Sequence, residues 1–183
     1  METGNLRADG RFAAADDHYR GPARAAVVVA ADPRFARLVN ERTVQAPEAA
    51  PYRPGQFYLR ELPPLRAVLD GAGPLDLLVI DGYADLDPAG RPGLGAHLHA
   101  ELGVPVVGVA KTAFRTATHA IAVRRGASAR PLFMTAAGIP VEQAARLVRD
   151  MAGPFRLPDA LRRVDALARG AMPSRAPAPE TGT

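Results

Sequence analysis

Three acids and one amine stand where a chain of alternating strand and helix patterns would put its chemistry. Asp81 ends the run LLVID and is followed by Gly82, a setting where carboxylate and backbone both reach a ligand. Lys111 ends VVGVAK and is the single lysine of the chain. Glu61 lies in FYLREL just before two prolines, and Asp16 and Asp17 precede HYRG near the start. Asp85 and Asp87 follow Asp81 within a few residues. Sheets of this class place their sites at strand ends. If the strands that contain or flank these residues are neighbours, three carboxylates and an amine converge. Carboxylates in one cleft repel and raise each other's pKa, and a divalent cation relieves the repulsion. An all-oxygen ligand set favours Mg²⁺, with Mn²⁺ as a substitute, over zinc. Such an ion polarises a phosphoryl oxygen and supplies hydroxide, and Lys111 is placed to offset transition-state charge. Taken singly, Asp16, Asp85 and Asp87 fit turn or cap positions more often than sites.

The elements that must position these residues are legible as apolar runs. Ala25–Ala31 (AAVVVAA) reads as a strand, and alternation in Leu38–Gln45 predicts a half-exposed partner strand. A helix is expected from Pro63 to Asp70, stopped by Gly71. Leu75–Ile80 and Val104–Ala110 are short buried-type strands, separated by a helix at Leu94–Leu102 that ends at Gly103. Ala120–Arg124 and Leu132–Thr135 read as a hairpin around Arg125–Gly126. Pro140–Met151 is amphipathic, and a last helix is expected at Pro158–Arg169. Strands first, then alternating helix and strand, predict a mixed α/β sheet flanked by helices. We expect one domain over residues 11–170, with residues 1–10 and 171–183 as disordered ends.

Composition narrows the classes. The 183 residues suffice for one buried core, and 48% hydrophobic residues argue against wholesale disorder. No cysteine removes disulfides, thiolate metal sites and a cysteine nucleophile, and fits a reducing cytoplasm. The N-terminus has no apolar run of the signal-peptide kind, and nothing approaches a membrane span. The formal charge is only +4, but residues 115–175 hold eleven arginines against four acids, a net +7. That split is what a nucleic-acid binder shows, with phosphates held in one region and acids gathered in another.

Five blocks in order resemble the endonuclease V family. PYRPGQFYLRELP at 51–63 is similar to the family's Tyr-Xaa-Pro-Gly turn followed by Phe-Arg-Glu. Asp81-Gly82 resembles its Val-Asp-Gly element, and GLGAHLHAELGVPVVGVAK at 93–111 its Gly-Leu-Ala-Ser-His to Gly-Val-Ala-Lys block. RLPDALRRVD at 156–165 is similar to the block near the family's C-terminus, and DDHYRG at 16–21 to Asp-Val-Ser-Tyr-Arg-Gly. The resemblance implies an RNase-H-like fold and a Mg²⁺-dependent endonuclease, monomeric and cytoplasmic, acting on DNA or RNA that contains a deaminated base such as hypoxanthine. It makes Asp16, Glu61 and Asp81 the metal carboxylates and Lys111 the charge stabiliser. Tyr52, Pro54 and Gly55 become the wedge that fills the stack when the base is extruded, and Gly82 and Gly108 the backbone against which that base rests.

The chain departs from the family at its imidazoles. Tyr83-Ala84 and Asp87-Pro88 stand where the family has His-Gly and His-Pro. Its later Gly-His element, expected beside the metal, falls on MTAAGI at 134–139, which has no histidine. A histidine introduced at Ala137 or Gly138 is therefore expected to raise the rate if that loop lies near the metal, and His119 is the resident alternative, although a lone histidine in such a strand is more often structural. A slowly turning or purely binding homologue is the rival reading. A receiver-like phosphoacceptor domain is a third, although it leaves PYRPGQFYLREL without a role.

Overall fold

The computed structural model describes residues 10–19, 22–45 and 58–173. In chain order its elements are β1 (Phe12–His18), β2 (Arg24–Ala30), β3 (Leu38–Gln45), α1 (Tyr58–Leu69), β4 (Leu77–Asp81), α2 (Leu94–Leu102), β5 (Val106–Ala110), β6 (Ile121–Val123), β7 (Leu132–Ala137), α3 (Val141–Asp150) and α4 (Asp159–Ala168). Among the described residues the strands form one seven-stranded sheet in the order β3-β2-β1-β4-β5-β7-β6. β1, β4 and β5 run parallel at its centre, while β2, β3, β7 and β6 attach antiparallel on either side. The antiparallel β1-β2-β3 meander is foreign to an all-parallel receiver sheet, which removes that reading.

Both faces of the sheet are covered, so the central strands are apolar on both sides. Phe12, Ala14, Val28, Val79, Val107 and Met134 pack toward α3 and α4. Ala13, Ala15, Val27, Leu78, Ile80 and Val106 pack toward α1 and α2. Ala13, Ala14 and Ala15 are fully buried, and this explains why β1 escapes a reading by propensity. Alanine is a poor strand former in isolation, but a narrow slot between the branched side chains of β2 and β4 selects it.

α1 begins five residues before the expected start, at Tyr58 rather than Pro63, and Pro63 and Pro64 lie inside it. Their missing N–H groups leave the carbonyls of Leu59 and Arg60 without helical donors. Burial of Leu65, Val68 and Leu69 against the sheet outweighs that loss. The wedge residues Tyr52, Pro54 and Gly55 lie outside the described residues, as do residues 1–9 and 174–183 of the expected disordered ends. Among the described residues no helix is long and apolar enough to cross a membrane.

Candidate active site

The parallel strands bring their C-terminal tips to one end of the sheet. Ala15 pairs with Ile80 across β1 and β4, so Asp16 and Asp81 follow side by side at the two tips. By the alternation of the strands both fall on the α3–α4 face, because Ala14 and Val79 point there. Lys111 follows β5, and its Nζ donates to Asp81 Oδ2 at 2.5 Å. Asp17 falls on the α1–α2 face. Glu61 reaches the same end from the first turn of α1, not from a strand as its neighbourhood in the sequence suggests.

Their electrostatics tie these groups together. Burial, then the charge of Asp81, pushes the Asp16 carboxyl up to about 8. Burial, then Asp17, Asp16 and Asp81, pushes Glu61 up to about 8 as well. Asp17, also buried, is raised to about 7. Burial works against the Lys111 ammonium, but the hydrogen bond to Asp81 and the charges of Asp81, Asp16 and Asp165 hold it above the usual lysine range. An acid set that resists full ionisation, made only of oxygen donors, suits a hard divalent cation. Among the described residues, however, no three His, Asp or Glu side chains are gathered closely enough to hold one ion between them. The Lys111 ammonium offsets Asp81 directly.

Beside this cluster a cavity of about 400 Å³ opens between Tyr58, Glu61, Asp81, Gly82, Tyr83, Leu86, Gly93, Leu94 and Phe114. It is apolar and aromatic in lining, with acids at its mouth. The Tyr83 and Phe114 rings stand 5.8 Å apart, and Tyr58 stacks on His97 at 3.9 Å. Gly82 has φ of +124° and open space where a Cβ would go, so the backbone itself forms the wall. Gly108 does something else. A Cβ there would lie 2.5 Å from the Ala84 nitrogen and 2.7 Å from both the Gly82 carbonyl oxygen and the Thr135 hydroxyl. Its bare backbone seats the Gly82–Ala84 loop from behind and does not line the cavity.

Three further residues complete the site and escaped the reading of the sequence. Tyr83 replaces a family histidine; its hydroxyl donates to the Thr112 carbonyl at 2.7 Å and accepts from the Phe114 N–H at 2.9 Å. The segment after Lys111 is thereby clamped to the segment after Asp81. Arg156 donates to the Lys111 carbonyl at 2.5 Å and the Pro131 carbonyl at 2.8 Å. Asp165, on α4, contributes charge at Lys111 and pairs with Arg169 at 2.9 Å. Arg156 and Asp165 open and close the block RLPDALRRVD, so the signal was in the sequence without a role attached to it.

Other candidates fall outside the cluster. Asp87 caps its own turn and pairs with Arg91 at 3.3 Å. Asp85 forms an isolated bridge with Pro92 near His119, whose two ring nitrogens are buried without hydrogen-bond partners. The MTAAGI expectation fails on register. Ala137 pairs with Val106 at the start of β5, whereas Phe133 pairs with Ala110 at its end. Ala137 and Gly138 are thus four and five residues, about 13–16 Å, along β7 from the end of β5 that leads to Lys111. Gly138 packs instead against the His99 ring of α2.

Comparison with known proteins agrees with this geometry. The endonuclease V family profile matches residues 8–135. An endonuclease V of Streptomyces coelicolor is 32% identical over 191 residues, covering 92% of this chain and 80% of that protein. One from Methanopyrus kandleri is 37% identical over 99 residues, covering 54% of this chain but 42% of the relative. The crystal structure of the Streptomyces avermitilis endonuclease V superposes with a TM-score of 0.76 at 28% identity, over 92% of this chain and 83% of that one. The Ciona intestinalis endonuclease V shares the fold at 19% identity, with a TM-score of 0.75 over 87% of this chain and 84% of the other. With the profile matched across most of its length, and a 32% identical relative aligned over 92% of this chain and 80% of its own, the chain belongs to the endonuclease V family.

Proposed function

We propose that this protein is a metal-dependent endonuclease that hydrolyses a phosphodiester near a deaminated base, hypoxanthine first, in DNA or RNA. The observation that carries the reading is the placement of Asp16 and Asp81 on neighbouring parallel strand tips, with Lys111 on Asp81 and Glu61 closing from α1, at the mouth of an aromatic cavity. The Ciona relative was crystallised with DNA containing an inosine, which makes inosine the first substrate to try.

Asp16, Asp81 and Glu61 would have to draw together to hold Mg²⁺, or Mn²⁺ in its place; such an ion would supply Lewis acidity and an activated water. The chain's own residues do the rest. Lys111 stands within hydrogen-bond reach of Asp81 and is poised to meet negative charge that grows on a phosphoryl group. Arg156 fixes the backbone at the Lys111 carbonyl, and Tyr83 the segment that follows. Tyr58, Tyr83 and Phe114 offer ring faces to an extruded base, and Leu86 and Leu94 keep water from it. Asp165 with Arg169 balances charge from α4.

A second reading, a binding homologue with little turnover, draws on the Lys111–Asp81 hydrogen bond and on the ungathered acids. One assay separates the two: nicking of inosine-containing and plain strands, with Mg²⁺, with Mn²⁺ and with chelator. Metal-dependent nicking confined to inosine strands is expected. Tight selective binding without nicking in any metal hands the case to the binding homologue.

A further inference from the structure

A second concavity, of about 720 Å³, opens on the α3–α4 side of the sheet, among the β2–β3 turn, the segment after β6 and the α3–α4 connection. Arg34, Arg124 and Arg149 line it, with Asp150 as the acid of the lining. Its wall is stiffened by Arg125, 7% exposed, whose guanidinium donates to the carbonyls of Met151, Gly153 and Phe155. That buried cation is consumed by the wall. Arg124 and Arg149 are exposed, and among the described residues neither is paired with an acid.

The rim carries an aromatic platform. Phe155 is 53% exposed, unusual for a phenyl ring, and the Arg162 guanidinium lies 4.4 Å from its centroid. Its backbone is held in place because Gly126 lets Pro154 approach within 2.3 Å of where a Cβ would stand. Free guanidinium forks for phosphates beside an exposed ring for a base are the parts from which single-strand binding surfaces are made. Arg156, the next residue, donates to the Lys111 carbonyl, so this surface is one residue removed from a contact with the catalytic cluster.

We propose that the Arg124–Arg149 concavity, with Phe155 at its rim, binds the backbone and a base of a single-stranded flank of the substrate, away from the scissile bond. The assignment rests on the reading of the chain as a nucleic-acid enzyme. It also gives a use to Arg124 and Arg149, two of the eleven arginines of residues 115–175.

The test uses fluorescence anisotropy of labelled single strands of about 8 and about 30 nucleotides, lengths at and well beyond one compact single-strand site. Each is made with and without inosine and titrated at several salt concentrations. Arg124→Ala/Arg149→Ala is expected to reduce the slope of log affinity against log salt by roughly 1.4 for the long plain strand, two phosphate contacts' worth. Phe155→Ala is expected to weaken that strand roughly 5- to 100-fold. Arg66→Ala, on the far face of α1 and paired with Glu101, should leave the slope unchanged. Nicking of the short inosine strand should match the parent in all three variants. A long-strand slope and affinity equal to the parent's in the double variant overturns the proposal, whatever the nicking result. A reduced slope on plain strands upholds it even if inosine nicking is absent, because no cleavage enters that measurement.

Discussion

Asp81 does two things at the tip of β4: it accepts the Lys111 ammonium and shares the charge field of Asp16 and Glu61. Asp81→Asn keeps the shape but removes the charge, so nicking should fall at least about 100-fold while nucleic-acid affinity holds or rises. Single-turnover rates and anisotropy on the same strands check this; nicking at the parent rate would remove Asp81 from the catalytic set. Tyr52 lies outside the described residues, and its wedge role comes from the resemblance alone. Tyr52→Ala should narrow the preference for inosine over the normal base without altering metal dependence, since the wedge acts on base extrusion. Equal loss on both strands would make Tyr52 an ordinary packing residue. Gly138 was a place to restore a base, and the register of β7 reverses that. Gly138→His is expected to disturb the His99 ring, which lies 2.5 Å from where its Cβ would stand, and to leave the nicking rate no higher than the parent's.

At the scale of elements, the loop after β4 is seated by a glycine of the next strand, β5. Thr135 of β7, fully buried, accepts the Ala84 N–H at 2.7 Å, and Gly108 leaves room for the contact. Gly108→Ala puts a methyl against backbone on one side and a hydroxyl on the other, so Gly82 and Tyr83 must shift. Overpacking of this kind costs about 1–3 kcal/mol. Thermal melts should show that loss, and base discrimination should fall with it because the wall of the cavity moves. A variant with parent stability and parent discrimination would mean the loop has slack that the geometry denies. α1 is the second informative element. Its double proline sets the expected start at Pro63, yet the helix runs back to Tyr58, with Leu65 and Val68 buried against the sheet, and carries Glu61 in its first turn.

Across the whole molecule the acids set the pH response. Asp16 and Glu61 rise from ordinary values of 3.8 and 4.5 to about 8, and Asp17 to about 7. The native state then holds more protons than the unfolded chain between about pH 4 and pH 8. Stability must fall as pH rises through that window, the reverse of the usual paired carboxylate. A cation that binds the ionised acids removes part of the penalty. Mg²⁺ or Mn²⁺ should therefore raise Tm more at pH 8 than at pH 5, measured on the protein without nucleic acid. An equal rise at both values would place any bound ion elsewhere.

The sequence by itself determined the apolar strands, α2 with its glycine stop, the β6–β7 hairpin and the identities of the four catalytic candidates. Each of these is local: a run of valines, a helical period, a Gly at the left-handed C-cap. It also held RLPDALRRVD in plain view, but nothing local says that Arg156 meets the Lys111 carbonyl or that the charge of Asp165 is felt at Lys111. Tertiary structure decided both, along with the strand character of FAAADDH, which exists because β2 and β4 leave a slot only alanine fills. It decided too that Glu61 acts from a helix, that Gly108 supports the pocket without lining it, and that MTAAGI ends at the wrong end of the sheet. These are facts of register and packing between segments distant in sequence, and no spacing along one chain encodes them.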